Sequence, residues 1–148
     1  MPVSHTDLPL VVYRRSDAGA VIYLPFELSA MLKEFKLADH YQLVGNMVDI
    51  LLERRELEVK APSTVQVTMF ESEGKYVVHL INETGERPLR DTIPVHGICV
   101  EVQVPSGCEV KNVRAAVEEQ KITWQQSDDR VTVMLDRLDV WEMLVVEY

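Results

Sequence analysis

Hydrolytic chemistry would start from paired acids, and this sequence offers two sets, Asp136 with Asp139 and Glu71 with Glu73. Glycoside cleavage needs two carboxyl groups at a fixed separation, one of them protonated. Both sets sit in polar, turn-like surroundings, where acids serve turn geometry and solubility rather than proton transfer. The histidines His5, His40, His79 and His96 share no i, i+4 or His-x-His spacing that would turn two ligands toward one metal. His79 lies in an apolar run and reads as partly buried and hydrogen-bonded, whereas His96 follows Pro94 and reads as surface. A Gly-x-Ser-x-Gly elbow is missing, and the glycines stand singly, so the sequence carries neither that nucleophile signature nor a phosphate-binding loop. The residues therefore assign no catalytic group, no cofactor and no metal site.

Indole chemistry is the remaining option. Exposed tryptophans stack on apolar faces of sugars by the same dispersion forces that bury them in cores. Trp124 shares its face with Ile122 and is expected to pack inward. Trp141 competes with Val140, Leu144 and Val146 for the inside. These two residues are the candidate carbohydrate contacts.

The elements that must position such groups are mostly strands. Val65, Val67 and Met69 alternate with Gln66 and Thr68, a turn follows at Glu71–Lys75, and Tyr76–Ile81 runs back, which predicts a central hairpin whose second arm is buried on both faces. Upstream, residues 10–14 and 20–24 predict a hairpin across Ser16–Gly19. Tyr41, Val44, Val48 and Leu51 then recur at helical spacing between Ala38 and Arg55, with Asp39 as the expected N-cap. Gly45 inside that helix costs about 1 kcal/mol relative to Ala, so close packing is expected beside it. Residues 56–62 read as a connector.

Beyond the central hairpin, residues 82–94 form a long polar loop. Ile98, Val100, Val102 and Val104 share one face of a strand, a second strand covers 109–115, and two more cover 121–125 and 130–135. A last strand spans 140–147. About seven strands from Val65 onward, with turn signals roughly every ten residues, fit an antiparallel sandwich. The fold expected is α+β: a hairpin-plus-helix portion over residues 1–60, then a β-sandwich over residues 61–148.

Composition sets outer bounds. With 47% hydrophobic and 26% charged residues the chain should fold. A net charge of −9 argues against a nucleic-acid partner, whose phosphates need clustered Lys and Arg. No apolar run reaches the roughly 20 residues of a membrane span, and the first residues lack the basic start and apolar run of an export signal. A cytoplasmic setting without membrane association is expected. Cys99 and Cys108 read as small buried hydrophobes, with a hairpin disulfide as the alternative.

Two strings carry a family resemblance. The stretch Val21–Leu28, followed by the helix from Asp39-His40-Tyr41 to Leu52, resembles the end of the glutamine-amidotransferase-like trimerisation domain of bacterial β-galactosidases and related glycoside hydrolases. Residues 76–82, then Arg87-Pro88-Leu89-Arg90-Asp91 through Val95, and the closing Leu138–Glu142 resemble the C-terminal β-sandwich of the same proteins. The resemblance implies an upstream (β/α) barrel holding the catalytic carboxylates, so no catalytic residue of the family maps onto this chain.

A doubly wound domain covers its sheet with helices on both sides, and residues 1–60 supply only a fragment of one. The implied role is a non-catalytic accessory or assembly region of a glycoside-hydrolase-like protein. Its expected partner is the upstream catalytic barrel, or a second copy met through the N-terminal portion. The rivals are a carbohydrate-binding module and a small stand-alone hydrolase. The Tyr41/Val44/Val48/Leu51 stripe is expected to pack on Val12, Ile22 and Leu24.

Overall fold

A computed structural model describes residues 7–52, 54–85, 91–118 and 120–148. The chain divides into two compact units at Arg54/Arg55.

The first unit holds a hairpin, β1 (Val12–Ser16) and β2 (Gly19–Tyr23), and two helices, α1 (Leu28–Phe35) and α2 (Ala38–Leu51). The hairpin pairs Val12 with Tyr23 through Ser16 with Gly19, so the turn is the two residues Asp17-Ala18 rather than the four expected. The sequence reading left α1 out, although Leu28, Met31, Leu32 and Phe35 recur at i, i+3, i+4 and i+7. It closes on Lys36, whose φ of 49° is left-handed and whose N–H reaches Leu32 O at 3.2 Å. For α2, the N-cap is Leu37 and makes no side-chain cap; Asp39 lies inside the first turn, where its charge still suits the positive end of the helix.

This unit has almost no interior. Leu28 is its one buried apolar residue among those described, and α2 buries none. Of the expected stripe, Val44 is half-buried, as are Ile22 and Leu24, but Tyr41, Val48, Leu51 and Val12 are exposed. No atom outside the helix backbone and chain neighbours lies within 4 Å of the place a Cβ would occupy on Gly45, so the close packing expected there is absent.

The second unit is a sandwich of two four-stranded antiparallel sheets. One has the order β4-β5-β10-β7, with β4 (Val65–Ser72), β5 (Lys75–Asn82), β7 (Asn112–Ala115) and β10 (Trp141–Glu147). The other has the order β3-β6-β9-β8, with β3 (Leu57–Lys60), β6 (Val95–Gln103), β8 (Thr123–Ser127) and β9 (Arg130–Leu138). The presumed connector is therefore a strand: Leu57 pairs with Val102 and Lys60 with Cys99, and the unit boundary moves back from residue 60. An eighth strand joins the seven counted from Val65.

Alternation builds the core. Val78, Leu80, Ile98, Val100, Val102, Val131, Val133, Leu135 and Leu144 are wholly buried between the sheets. The second arm of the central hairpin is sealed on that face alone, since Ile81 on the other face is 43% exposed. Its two-residue turn places Gly74 at φ 70°, a conformation that favours glycine.

Side-chain amides and one acid tie the loops. Asn82 Nδ2 donates to the carbonyls of Ile93, Leu138 and Asp139, and its Oδ1 accepts from Thr84 N–H. Gln126 Nε2 donates to Cys108 O at 2.9 Å while its Oε1 accepts from Val110 N–H at 2.8 Å. Cys99 and Cys108 are free thiols, both half-buried. No helix among the described residues is long and apolar enough to cross a membrane.

Candidate functional site

Strand parity decides which side chains reach the surface of the sandwich. In β5, Val78, Leu80 and Asn82 point inward, so Val77, His79 and Ile81 face out. The register then lays Gln66, Ile81 and Trp141 in one row across β4, β5 and β10, and Thr68, His79 and Met143 in the next. Phe70 follows beside Val77.

The result is an outward face with three rings in contact. The Phe70 ring meets His79 edge-on at 5.5 Å between centroids, and His79 lies parallel to Trp141, 6° between planes at 6.4 Å. Phe70 is 59% and Trp141 42% exposed. His79 is half-buried as expected, and on this outer face its partners are rings rather than the hydrogen bond expected. Among the residues named on this face, His79 is the one ionisable side chain, so an acid/base pair does not assemble there. What the face offers is dispersion, ring stacking and neutral hydrogen-bonding groups.

Trp124 is placed differently. It pairs with Val133, whose side chain is wholly buried, so its face is the inward one expected. β8 is an edge strand, however, and the indole remains 38% exposed. Thr123, Trp124, Gln125, Thr132 and Met134 line an open depression of about 220 Å³. The two tryptophans therefore belong to different sheets and do not form one surface.

The acid sets do not converge. Asp139 is held by Arg137 through two hydrogen bonds, Nε to Oδ2 at 2.8 Å and Nη2 to Oδ1 at 2.6 Å. That bonding keeps its carboxyl below the usual range and the guanidinium above its own. Asp136 is exposed, with its carbonyl bonded to His96 Nδ1 at 3.1 Å. Glu71 is the penultimate residue of β4 and Glu73 sits in the turn, both exposed. On the opposite sheet, Lys60 and Arg130 flank Glu101 at 3.2 and 3.3 Å. The hydrogen bond from Lys60 leads in lowering the Glu101 carboxyl and raises the amine. This is a solvated ion cluster on a sheet face.

The acid that matters most was missed in the sequence. Glu142 is 1% exposed. Its Oε1 accepts from the backbone N–H groups of Ala116, Val117 and Met143 at 3.2, 2.9 and 2.8 Å. Its Oε2 accepts from Glu118 N–H and Gln120 Nε2 at 3.2 and 3.0 Å. Parity with Leu144 and Val146 was the available signal that it points inward. With both oxygens engaged, the group ties Ala116, Val117, Glu118 and Gln120 to β10 and is not presented to a ligand. Among the described residues no group of three or more His, Cys, Asp or Glu gathers in a way that could hold a metal. His5 and Arg87-Pro88-Leu89-Arg90 lie outside the described residues.

No family model and no curated protein sequence matches the chain. Among solved structures it is similar to the α-L-fucosidase isoenzyme 2 from Paenibacillus thiaminolyticus, at 26% identity and a TM-score of 0.77. The match covers 95% of this chain and 22% of that one, so the chain spans about a fifth of that protein's length. The likeness is to a part of a glycoside hydrolase, the class that the resemblance implied.

Proposed function

We propose that this chain serves as a non-catalytic C-terminal accessory or assembly region of a glycoside-hydrolase-like protein, beside a catalytic barrel that it helps to position. The observation that carries the reading is the uncovered first unit. A segment of about 45 residues with Leu28 as its one buried apolar side chain among those described cannot offset the entropy of ordering its own backbone. A fragment of an α/β layer in that condition calls for further chain against it. Tyr41, Val48 and Leu51 supply an apolar strip for such contact, and the open space beside Gly45 admits a close approach. The 22% coverage of a fucosidase supports a much longer parent.

The test has two arms. The chain alone is assayed on nitrophenyl glycosides, α-L-fucosides included, and the transcript encoding it is mapped for an in-frame barrel. No turnover together with an upstream barrel is expected. Turnover by the chain itself would restore the stand-alone hydrolase and overturn the reading.

Carbohydrate binding is a second reading, favoured by the exposed ring of Trp141 stacked on His79. Affinity electrophoresis in neutral polysaccharides tests it: retardation that Trp141→Ala abolishes supports it, and unchanged mobility removes it.

A further inference from the structure

A sheet edge presents a row of unpaired backbone donors and acceptors that another extended strand can complete, and folded proteins guard such edges with short strands, charges, bulges or covering chain. The sandwich has four edges, and three are guarded. β3 is four residues long and carries Glu58 and Lys60 in ion pairs. β7 is also four residues long and carries Arg114. β8 has the 108–110 segment tied to it through both ends of the Gln126 amide.

β4 is the least guarded, with Glu71 near its end as its one charged residue. It runs for eight residues, is uncharged from Val65 through Phe70, contains no proline, and pairs one-to-one with β5 without a bulge. Among the described residues, β5 is its one sheet neighbour. Phe70, 59% exposed, stands on the outer face of this same strand.

We propose that the β4 edge is an interaction surface for a second copy of this chain, whose β4 adds antiparallel to form one continuous eight-stranded sheet. The partner's chemistry follows from the edge, since a β-strand completes such a row residue by residue. Identity of the partner follows from self-complementarity. A two-fold axis through Thr68 sets Thr68 opposite Thr68, Val67 opposite Met69, and Gln66 opposite Phe70. Inward residues then meet inward residues, and Thr–Thr and aromatic contacts form across the outer face. No like charges oppose each other in this register, in which Glu71 falls opposite Val65. The edge belongs to the second unit, and the inference does not depend on the glycoside-hydrolase reading.

Sedimentation of the full chain over a concentration series tests it, with three variants. The native chain should form a reversible dimer. Thr68→Lys, at an exposed position, should weaken dimerisation at least about tenfold by placing two ammonium groups across the axis, whereas Leu51→Lys on the first unit should leave it unchanged. Thr68→Cys should yield a covalent dimer on mild oxidation, while the native chain, with its own Cys99 and Cys108, should not. A native chain that stays monomeric throughout, or a dimer lost in Leu51→Lys and retained in Thr68→Lys, overturns the proposal. If Thr68→Lys fails to fold, the Thr68→Cys cross-link decides alone, and its absence overturns the proposal.

Discussion

The two units of this chain use similar apolar residues to opposite ends. In the sandwich, Val78, Leu80, Val100, Val133 and Leu144 are withdrawn from water by a facing sheet. In the first unit, Tyr41, Val48, Ile50 and Leu51 project from a helix, and all are at least 40% exposed. Polar bookkeeping differs in the same sense. The sandwich engages the side chains of Asn82, Gln103 and Glu142 in hydrogen bonds, while the buried side-chain atom without a partner among the described residues, His40 Nδ1, belongs to α2. Sealing, rather than composition, separates a self-supporting domain from a fragment of one.

The contrast can be broken by substitution. Leu80→Ala, at a wholly buried site, should cost about 3 kcal/mol in urea unfolding of the sandwich; a cost near zero would mean the sheets are not packed as described. Glu142→Ala strands several buried N–H donors and should cost about 2–3 kcal/mol, with faster amide exchange in residues 116–118. In the first unit the sign reverses. Gly45→Ala should stabilise α2 by about 1 kcal/mol, seen as increased helical circular dichroism, because no side chain stands in the way of the new methyl. Leu51→Ala should shift unfolding by less than about 0.5 kcal/mol.

Alkaline titration gives the smallest effect. Tyr76 packs on Tyr148 with ring centroids 5.1 Å apart, and burial followed by its hydrogen bond to Tyr148 pushes the phenol up from 10.0 to about 12. A raised value favours the protonated form in the folded state. Its contribution to stability is complete below pH 10 and is lost as pH rises toward about 12. Phenolate absorbance should show one tyrosine titrating late, and Tyr76→Phe should remove that step.

Much of this organisation was readable from the residues. Period-two alternation located the strands from Val65 onward because a strand with one sealed face must write that face into every second residue. The central hairpin and the shared face of Ile98, Val100, Val102 and Val104 follow from it. β3 escaped because Leu57-Glu58-Val59-Lys60 is short and half charged, and its ion pairs with partners on β6 and β9 exist only once the sheet forms. Glu142 escaped because an inward acid contradicts composition, and all its partners but the adjacent Met143 lie more than twenty residues away. The aromatic face was half visible: Trp141 stood out, but Phe70 and His79 join it only through the β4-β5-β10 register. Trp124 was assigned to the correct face, yet nothing in local sequence announces that β8 is an edge.

Amide hydrogen exchange on the isolated full chain probes the central claim most directly, because it reads each unit's local stability separately. The account predicts slow exchange in β5, β6, β9 and β10 and near-unprotected exchange in α1 and α2, where Leu28 is the one buried apolar residue among those described. Protection in α2 equal to that in β6 and β9 would show a first unit that stands by itself, and would contradict the account.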